Sequence, residues 1–258
     1  MKQDSIIPQE IINQEGLNSI LDFYRTMAIA EQQFADAVAF ATGVNSPFLN
    51  VLFDLRQKKI NSGELHEAAA DFFAQHQVPW GWFITPADKN NDLTRHALVL
   101  VEESPAMYFD LSKELPAMKA ESVTVQELND NDDLSAWIKP IREGFQADDD
   151  DDSYRQLNAA IFPTANGRLR HFIANYKGEL ASAGTLFMSG NAVMLHNLAT
   201  RTEFKKCGVG TTLTLHMMQE AKNSGFRHCF LDSSSAAFQL YQKIGFQVYS
   251  STLIYSKT

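Results

Sequence analysis

Residues 198–214 read LATRTEFKKCGVGTTLT, and this stretch decides how the rest of the chain is read. Leu198, Ala199 and Thr200 end an apolar run that begins at Val193, as the last residues of a strand would. From Thr211 the apolar positions recur at helical spacing to Ser224, and Gly225 stands where a helix C-cap glycine belongs. Between them lies a loop holding Gly208, Val209 and Gly210. Glycines let backbone N–H groups approach an anion closely, and a helix N-terminus adds unpaired donors and a positive dipole end. The stretch is therefore a cradle for a pyrophosphate, with Lys205 and Lys206 as two cations beside it. Cys207, next to the cradle, is either a small loop side chain or a thiol made reactive by the helix end.

Three nucleotide patterns compete for this loop. A Walker A loop is excluded, because no Lys-Ser/Thr follows a second glycine at the required spacing. The dinucleotide pattern is half met: Gly208 and Gly210 fit, Leu213 takes the third glycine position, and Asp232 lies where a ribose-binding acid would be. The third pattern depends on a second stretch, residues 233–246, reading SSSAAFQLYQKIGF. Lys205-Lys206-Cys207-Gly208-Val209-Gly210 followed by Ser234, Tyr241, Gly245 and Phe246 resembles the Gcn5-related N-acetyltransferases (GNAT) in motif, order and separation. The resemblance covers about Ser122 to Thr258 and departs from the family where Lys205 replaces the usual Arg or Gln and Lys206 a frequent glycine. A lysine keeps the charge but loses the planar fork of arginine.

The resemblance implies a fold and a chemistry. The expected fold is α/β (α+β): a mixed, mostly antiparallel sheet with flanking helices. Acetyl-CoA would be the acyl donor, its pantetheine arm lying between two splayed strands against backbone groups of Leu198, Ala199 and Thr200. Gly208 to Thr211 would hold the pyrophosphate, and Ser234 would touch the cofactor or cap the last helix. Tyr241 would protonate the departing thiolate, unless it is only a core aromatic. The carboxylate base of some family members falls at Met194, which cannot accept a proton. His196, two residues on and on the same strand face, is the candidate base; the plainer reading is a histidine hydrogen-bonded within the sheet.

Upstream, Arg170–Asn175, Leu180–Met188 and Val193–Thr200 read as three antiparallel strands, with helices expected over Leu134–Phe145 and Tyr154–Ile161. Downstream come a strand at Cys229–Leu231, a helix at Ala236–Lys243 and a strand at Gln247–Tyr255. The polar segment Lys113–Glu121, with Pro116, marks a boundary, giving units 1–116 and 117–258. In the first unit, Leu17–Ala41 is predicted helical, Asn50–Leu55 a strand, Ser62–Gln77 a helix, Trp80–Thr85 a strand, Asn91–Val101 a helix and Met107–Leu111 a strand. This order repeats the second unit from its fourth strand onward. Residues 79–93 resemble the N-terminal halves of two-domain acetyltransferases, which are degenerate copies of the same fold. Residues 56–63, RQKKINSG, lack G-x-G, so this copy is expected to bind no CoA, to shape the acceptor pocket and to replace a dimer partner, leaving a monomer. Trp80, Trp82, Phe72 and Phe73 read as its core.

Composition narrows the function further. The 258 residues carry a formal net charge of −9, which disfavours nucleic acid and anionic membrane as partners. Two cysteines and an N-terminus without a basic, then apolar, leader point to a reducing, cytoplasmic setting. No metal set is legible: His66-Glu67 begins an H-E-x-x-H, but Ala70 stands at the last position. No G-x-S-x-G supports a hydrolase. Asp148–Asp152 is not a calcium loop, because Ser153 stands where the turn glycine belongs. It reads as a solvated run or as a lure for a polycationic acceptor. The expected function is acetyl transfer to an amine of a small molecule or peptide, cationic acceptors included; the alternatives are a non-catalytic CoA-binding module and a nicotinamide-dinucleotide enzyme.

Overall fold

The computed structural model describes residues 7–55, 62–85, 93–117, 122–129, 132–146 and 152–257. Among them a single eleven-stranded sheet, ordered β1-β2-β3-β4-β11-β5-β10-β9-β8-β7-β6, carries helices on both faces. The N-terminal part runs α1 (Gln9–Met27), β1 (Ala30–Gln33), β2 (Ala37–Ala41), β3 (Val51–Asp54), α2 (Ser62–Gln75), β4 (Gly81–Ile84) and β5 (Val99–Asp110). The C-terminal part runs β6 (Val123–Glu127), α3 (Ser135–Phe145), α4 (Ser153–Ile161), β7 (Leu169–Tyr176), β8 (Glu179–Ser189), β9 (Ala192–Thr200), α5 (Val209–Asn223), β10 (His228–Asp232), α6 (Phe238–Ile244) and β11 (Gln247–Ser256). This is the expected mixed, mostly antiparallel α/β architecture.

The two parts repeat one pattern. β8 and β9 are antiparallel, β9 and β10 parallel across α5, and β10 is antiparallel to β5. β2 and β3 are antiparallel, β3 and β4 parallel across α2, and β4 is antiparallel to β11. The last strand of each part therefore sits in the other part's sheet, and the exchanged pair β5 and β11 run antiparallel at the centre. The sheet runs without a break through the strands on either side of the polar segment that follows Asp110.

Two sequence-based elements differ. The helix expected over Leu17–Ala41 starts at Gln9, ends at Met27, and is followed by β1 and β2. Every residue of β2 is buried, so the strand lacks the polar alternation that would have marked it. The helix expected over Asn91–Val101 is a 3₁₀ turn at Thr94–His96, and Val99–Val101 open β5. Residues 56–61 and 148–151, which hold most of the RQKKIN and aspartate segments, lie outside the described residues.

The apolar core lies on both sheet faces. Val193 and Leu195 pack with Leu213, Met217 and Met218 of α5 on one face. Ala183 and Ala199 pack with Trp137, Ile138 and Ile141 of α3 on the other. Trp82, Phe72 and Phe73, with Trp80 against them, form the predicted N-terminal core. No helix of the described residues is long and apolar enough to cross a membrane.

Candidate functional site

The site begins where two parallel strands part. β9 and β10 are paired at Ala192–His228, Val193–Cys229 and Met194–Phe230, and no further. From Leu195 to Thr200, β9 continues with that edge unpaired, which leaves extended backbone groups open to a ligand strand. A bulge accompanies the parting. Ala183 faces Ala199 while Thr185 faces His196, so β9 carries one extra residue, and Asn197 takes a φ of 56°. Asparagine tolerates this left-handed conformation better than most residues. Its side chain is held at both ends: Tyr154 Oη donates to Asn197 Oδ1 at 3.1 Å, and Asn197 Nδ2 donates to Thr185 Oγ1 at 3.3 Å.

Beyond β9, the loop turns back into α5. Arg201 anchors it through Glu143 at 2.8 Å, Glu203 at 2.6 Å and the Leu180 carbonyl at 2.8 Å. Lys206 has a φ of 66° and Gly208, the N-cap of α5, a φ of 81°. The first turn-closing bond runs from Thr212 N–H to the Gly208 carbonyl at 3.0 Å. The preceding N–H groups have no intrahelical acceptor and supply the donors of an anion cradle. Val209 is buried, so the first turn is fixed from below while its backbone faces the opening. A Cβ on Gly210 would stand 3.1 Å from Thr200 Oγ1 and press on the end of β9.

These elements enclose a cavity of about 610 Å³. Leu198, Ala199 and Thr200 line one wall, and Lys205, Lys206, Gly208, Val209, Gly210 and Thr211 the cradle. Ser234 and Tyr241 close the far side, and Gly144 and Phe145 of α3 approach from the other. Cys207 lines a neighbouring cavity of about 700 Å³, with Lys206, Lys243 and Leu240, that continues from the first. The cavity fits an extended phosphorylated ligand on structural grounds: glycine where a side chain would intrude, free amide donors, two cations and an open strand edge.

Tyr241 is buried, and burial pushes its phenol well above the ordinary range, so it stays protonated. The ring is held edge-on against Phe246. Ser234 lies in the turn before the last helix, whose N-cap is Ala237, and its carbonyl accepts from Ala237 and Phe238 N–H at 3.1 Å. Its side chain is left to the cavity.

His196 does not line this cavity. Its ring stacks on Phe23 of α1 at 3.6 Å, and burial lowers its pKa to about 3. The proposed base is thus a weak one, held on the α1 face of the sheet. Its ring Nε2 is buried without a partner among the described residues.

Asp232, weighed in the sequence only as a ribose-binding acid, closes β10. Cys229 and Leu231 pack toward α5, whereas Phe230 packs toward α1, so Asp232 shares the α1 face and points away from the cradle. That disposition is wrong for a dinucleotide ribose. The side chain is solvent-exposed at the end of its strand, and the surrounding protein and then the Glu102 carboxylate raise its pKa above the ordinary range. Glu102, Asn197 and Gly144 escaped sequence reading because the signal is spatial: each acts across strands or from another helix. Asp152 is the one described member of the aspartate run, and it is tied to Arg155 and Arg142, which lower its pKa to about 2.

Residues 131–246 match the model of the acetyltransferase (GNAT) family. Among solved structures, a GCN5-related N-acetyltransferase from Kribbella flavida superposes with a TM-score of 0.65 at 13% identity, covering 97% of this chain and 95% of that one. A GCN5-related N-acetyltransferase from Sphaerobacter thermophilus gives 0.60 at 14% identity over 85% and 76% of the two chains. A tandem GNAT protein from the clavulanic acid biosynthesis pathway gives 0.55 at 12% identity over 92% and 86%. No curated protein matches the chain.

Proposed function

We propose that this chain transfers an acetyl group from acetyl-CoA to an amine by direct attack in a ternary complex, a reading supported by the match of residues 131–246 to the acetyltransferase (GNAT) family model. The observation that carries this reading is that the parted strands, the glycine cradle and a protonated tyrosine line one cavity. Acetyl-CoA, when bound, supplies the acyl group as a thioester. The chain's residues do the rest. Backbone N–H groups from Gly208 to Thr211 hold the pyrophosphate charge, with Lys205 and Lys206 beside them. The open edge of Leu198–Thr200 holds an extended amide-bearing arm as an added strand would. Tyr241 holds a proton on its hydroxyl for the leaving sulfur, a role that suits a phenol kept neutral by burial. The N-terminal part would cover the acceptor side of the sheet.

Calorimetric titration with acetyl-CoA tests the reading. The native chain is expected to bind, and a Gly208→Asp/Gly210→Asp variant, which sets carboxylates against the pyrophosphate, is expected not to. Equal binding by both, or none by the native chain, would remove the cradle from the account.

A second reading, a CoA-binding module without catalysis, draws on the enclosed His196 and on Met194 at the position of a carboxylate base. A thiol-release assay separates the two, since a pure binder releases no CoA thiol with any amine.

A further inference from the structure

Beneath the bulge that accompanies the parting of the strands lies a buried polar cluster that neither the cradle nor Tyr241 uses. Thr185 of β8, His171 of β7 and Trp137 of α3 are all fully buried. Thr185 pairs with His171 on one neighbouring strand and with His196 on the other, at the point where β9 carries its extra residue. Three groups meet its hydroxyl: Trp137 Nε1 at 3.2 Å, Asn197 Nδ2 at 3.3 Å and His171 Nδ1 at 3.0 Å.

Valence fixes the direction of each bond. A hydroxyl has one hydrogen and two lone pairs, so three partners are its full complement. The indole N–H of Trp137 only donates. Asn197 turns Nδ2 toward Thr185 because its Oδ1 accepts the Tyr154 hydroxyl hydrogen. Both lone pairs of Thr185 are then filled, and its own hydrogen goes to His171 Nδ1. The His171 ring proton therefore sits on Nε2; on Nδ1 it would aim a third donor at two lone pairs. Trp137 and Phe162 hold the ring at centroid distances of 4.3 and 4.6 Å, and burial keeps it neutral. One chain of donors runs from Tyr154 on α4 through Asn197 and Thr185 to His171 inside the sheet.

Asn197 is the member of this chain with a left-handed backbone, and it is the bulge itself. Leu198, the next residue, begins the wall of the cofactor cavity and sits on Gly184, where a Cβ would stand 2.9 Å from Leu198 Cδ2. Asn197 and Tyr154 also line a second cavity of about 630 Å³, between α3 and a wall from the N-terminal part made by the loop Val44–Leu49 and Glu102 of β5. A turn of the Asn197 peptide would thus move the strand edge in one cavity and the lining of the other.

We propose that Thr185 is a positioning residue: by accepting from Trp137 and Asn197 and donating to His171, its hydroxyl holds the β9 bulge in the conformation that aims the Leu198–Thr200 edge at the pantetheine arm. The inference rests on the cofactor reading above. Thr185 acts through Asn197 and touches no ligand. The cradle at Gly208–Thr211 does not depend on it.

Calorimetry with acetyl-CoA and with its nucleotide end alone, 3′-phospho-ADP, separates the arm from the cradle. Thr185→Val keeps the shape and loses the hydroxyl, and it should bind acetyl-CoA about tenfold more weakly than the native chain. Its affinity for 3′-phospho-ADP should stay within about twofold, because the amide donors of the cradle are unchanged. Thr185→Ser restores the hydroxyl and should return acetyl-CoA affinity to within about threefold of native. Long-range proton–nitrogen NMR of the native chain should find the His171 proton on Nε2. If Thr185→Val does not unfold cooperatively on heating, Tyr154→Phe replaces it, since the three buried partners of Thr185 stay in place; about threefold weaker acetyl-CoA binding with unchanged 3′-phospho-ADP binding is then expected. Native acetyl-CoA affinity in the folded variant, an equal loss for both ligands, or a His171 proton on Nδ1 overturns the proposal and leaves the cofactor reading intact. A native chain that binds neither ligand overturns both.

Discussion

Gly144 of α3 lies so close to Ala199 of β9 that a Cβ on the glycine would stand 2.8 Å from the Ala199 Cβ. The helix backbone therefore rests directly on the strand that offers its free edge to the cofactor cavity. Gly144→Val would push α3 off β9. Overpacking of this kind costs about 1–3 kcal/mol, and it would displace Phe145 as well. The expected outcome is a lower melting temperature together with at least tenfold weaker acetyl-CoA binding by calorimetry. Native affinity in a folded variant would mean that the α3–β9 contact does not shape the cavity.

Tyr241→Phe removes one hydroxyl from a ring that stays packed on Phe246. The loss of a proton donor to the leaving group typically costs about 100-fold to 10,000-fold in rate. We expect kcat to fall by about 100-fold or more with the dissociation constant for acetyl-CoA unchanged. An unchanged kcat would leave Tyr241 as a core aromatic.

The two buried histidines set a direction for stability against pH. His171 and His196 both have folded pKa values of about 3, lowered by burial from the ordinary value of 6.5. An unfolded chain therefore binds more protons than the native one between those values, so stability is complete above pH 6.5 and is lost as pH falls toward 3. Each histidine contributes at most about 1.4 kcal/mol per pH unit in that window. Asp232 acts the other way: raised from 3.8 to about 7, it favours the folded state at acid pH and loses that contribution as pH rises. Denaturant titrations from pH 7 to pH 4 should show a net loss of stability on acidification, steeper in Asp232→Asn and shallower in His196→Phe. A flat profile would contradict the burial of both rings.

Much of this architecture was legible along the chain. The three-strand meander from Leu169 to Thr200, the loop with Gly208 and Gly210, and α5 ending before Gly225 agree with the sequence reading to within two residues, because period, turn residues and caps are local signals. β2 was not legible: Ala37–Ala41 is buried on both faces, and helical spacing of Phe34 and Val38 with earlier apolar residues imitated a longer α1. Nor was the α1 face of the parted strands. Asp232 reads as a ribose acid until the sheet shows which face it occupies, and Glu102 belongs to a strand that sequence order assigns to the other half. His196 reads as a base until Phe23, 173 positions earlier by number, is found stacked on it.

The strand exchange makes a prediction about fragments. A chain restricted to residues 117–258 lacks β5, so β10 loses its neighbour on one side and β11 is left without either partner. Expressed alone, this piece should aggregate or remain unfolded by circular dichroism, whereas co-expression with residues 1–116 should give a soluble complex that elutes together. Cooperative unfolding of 117–258 by itself would show that the exchange is dispensable.

A chain whose halves trade their terminal strands has the topology of a domain-swapped homodimer joined end to end. Once two such copies share one polypeptide, the pressure on them separates. One copy can keep the glycine loop, while the other is free to lose it and to reshape its strand ends into a wall such as Val44–Leu49 and a charge such as Glu102. Neither copy can be discarded, because each still completes its neighbour's sheet. In descendants of such a fusion, the wall built by one half can change by mutation while the glycine loop of the other stays undisturbed.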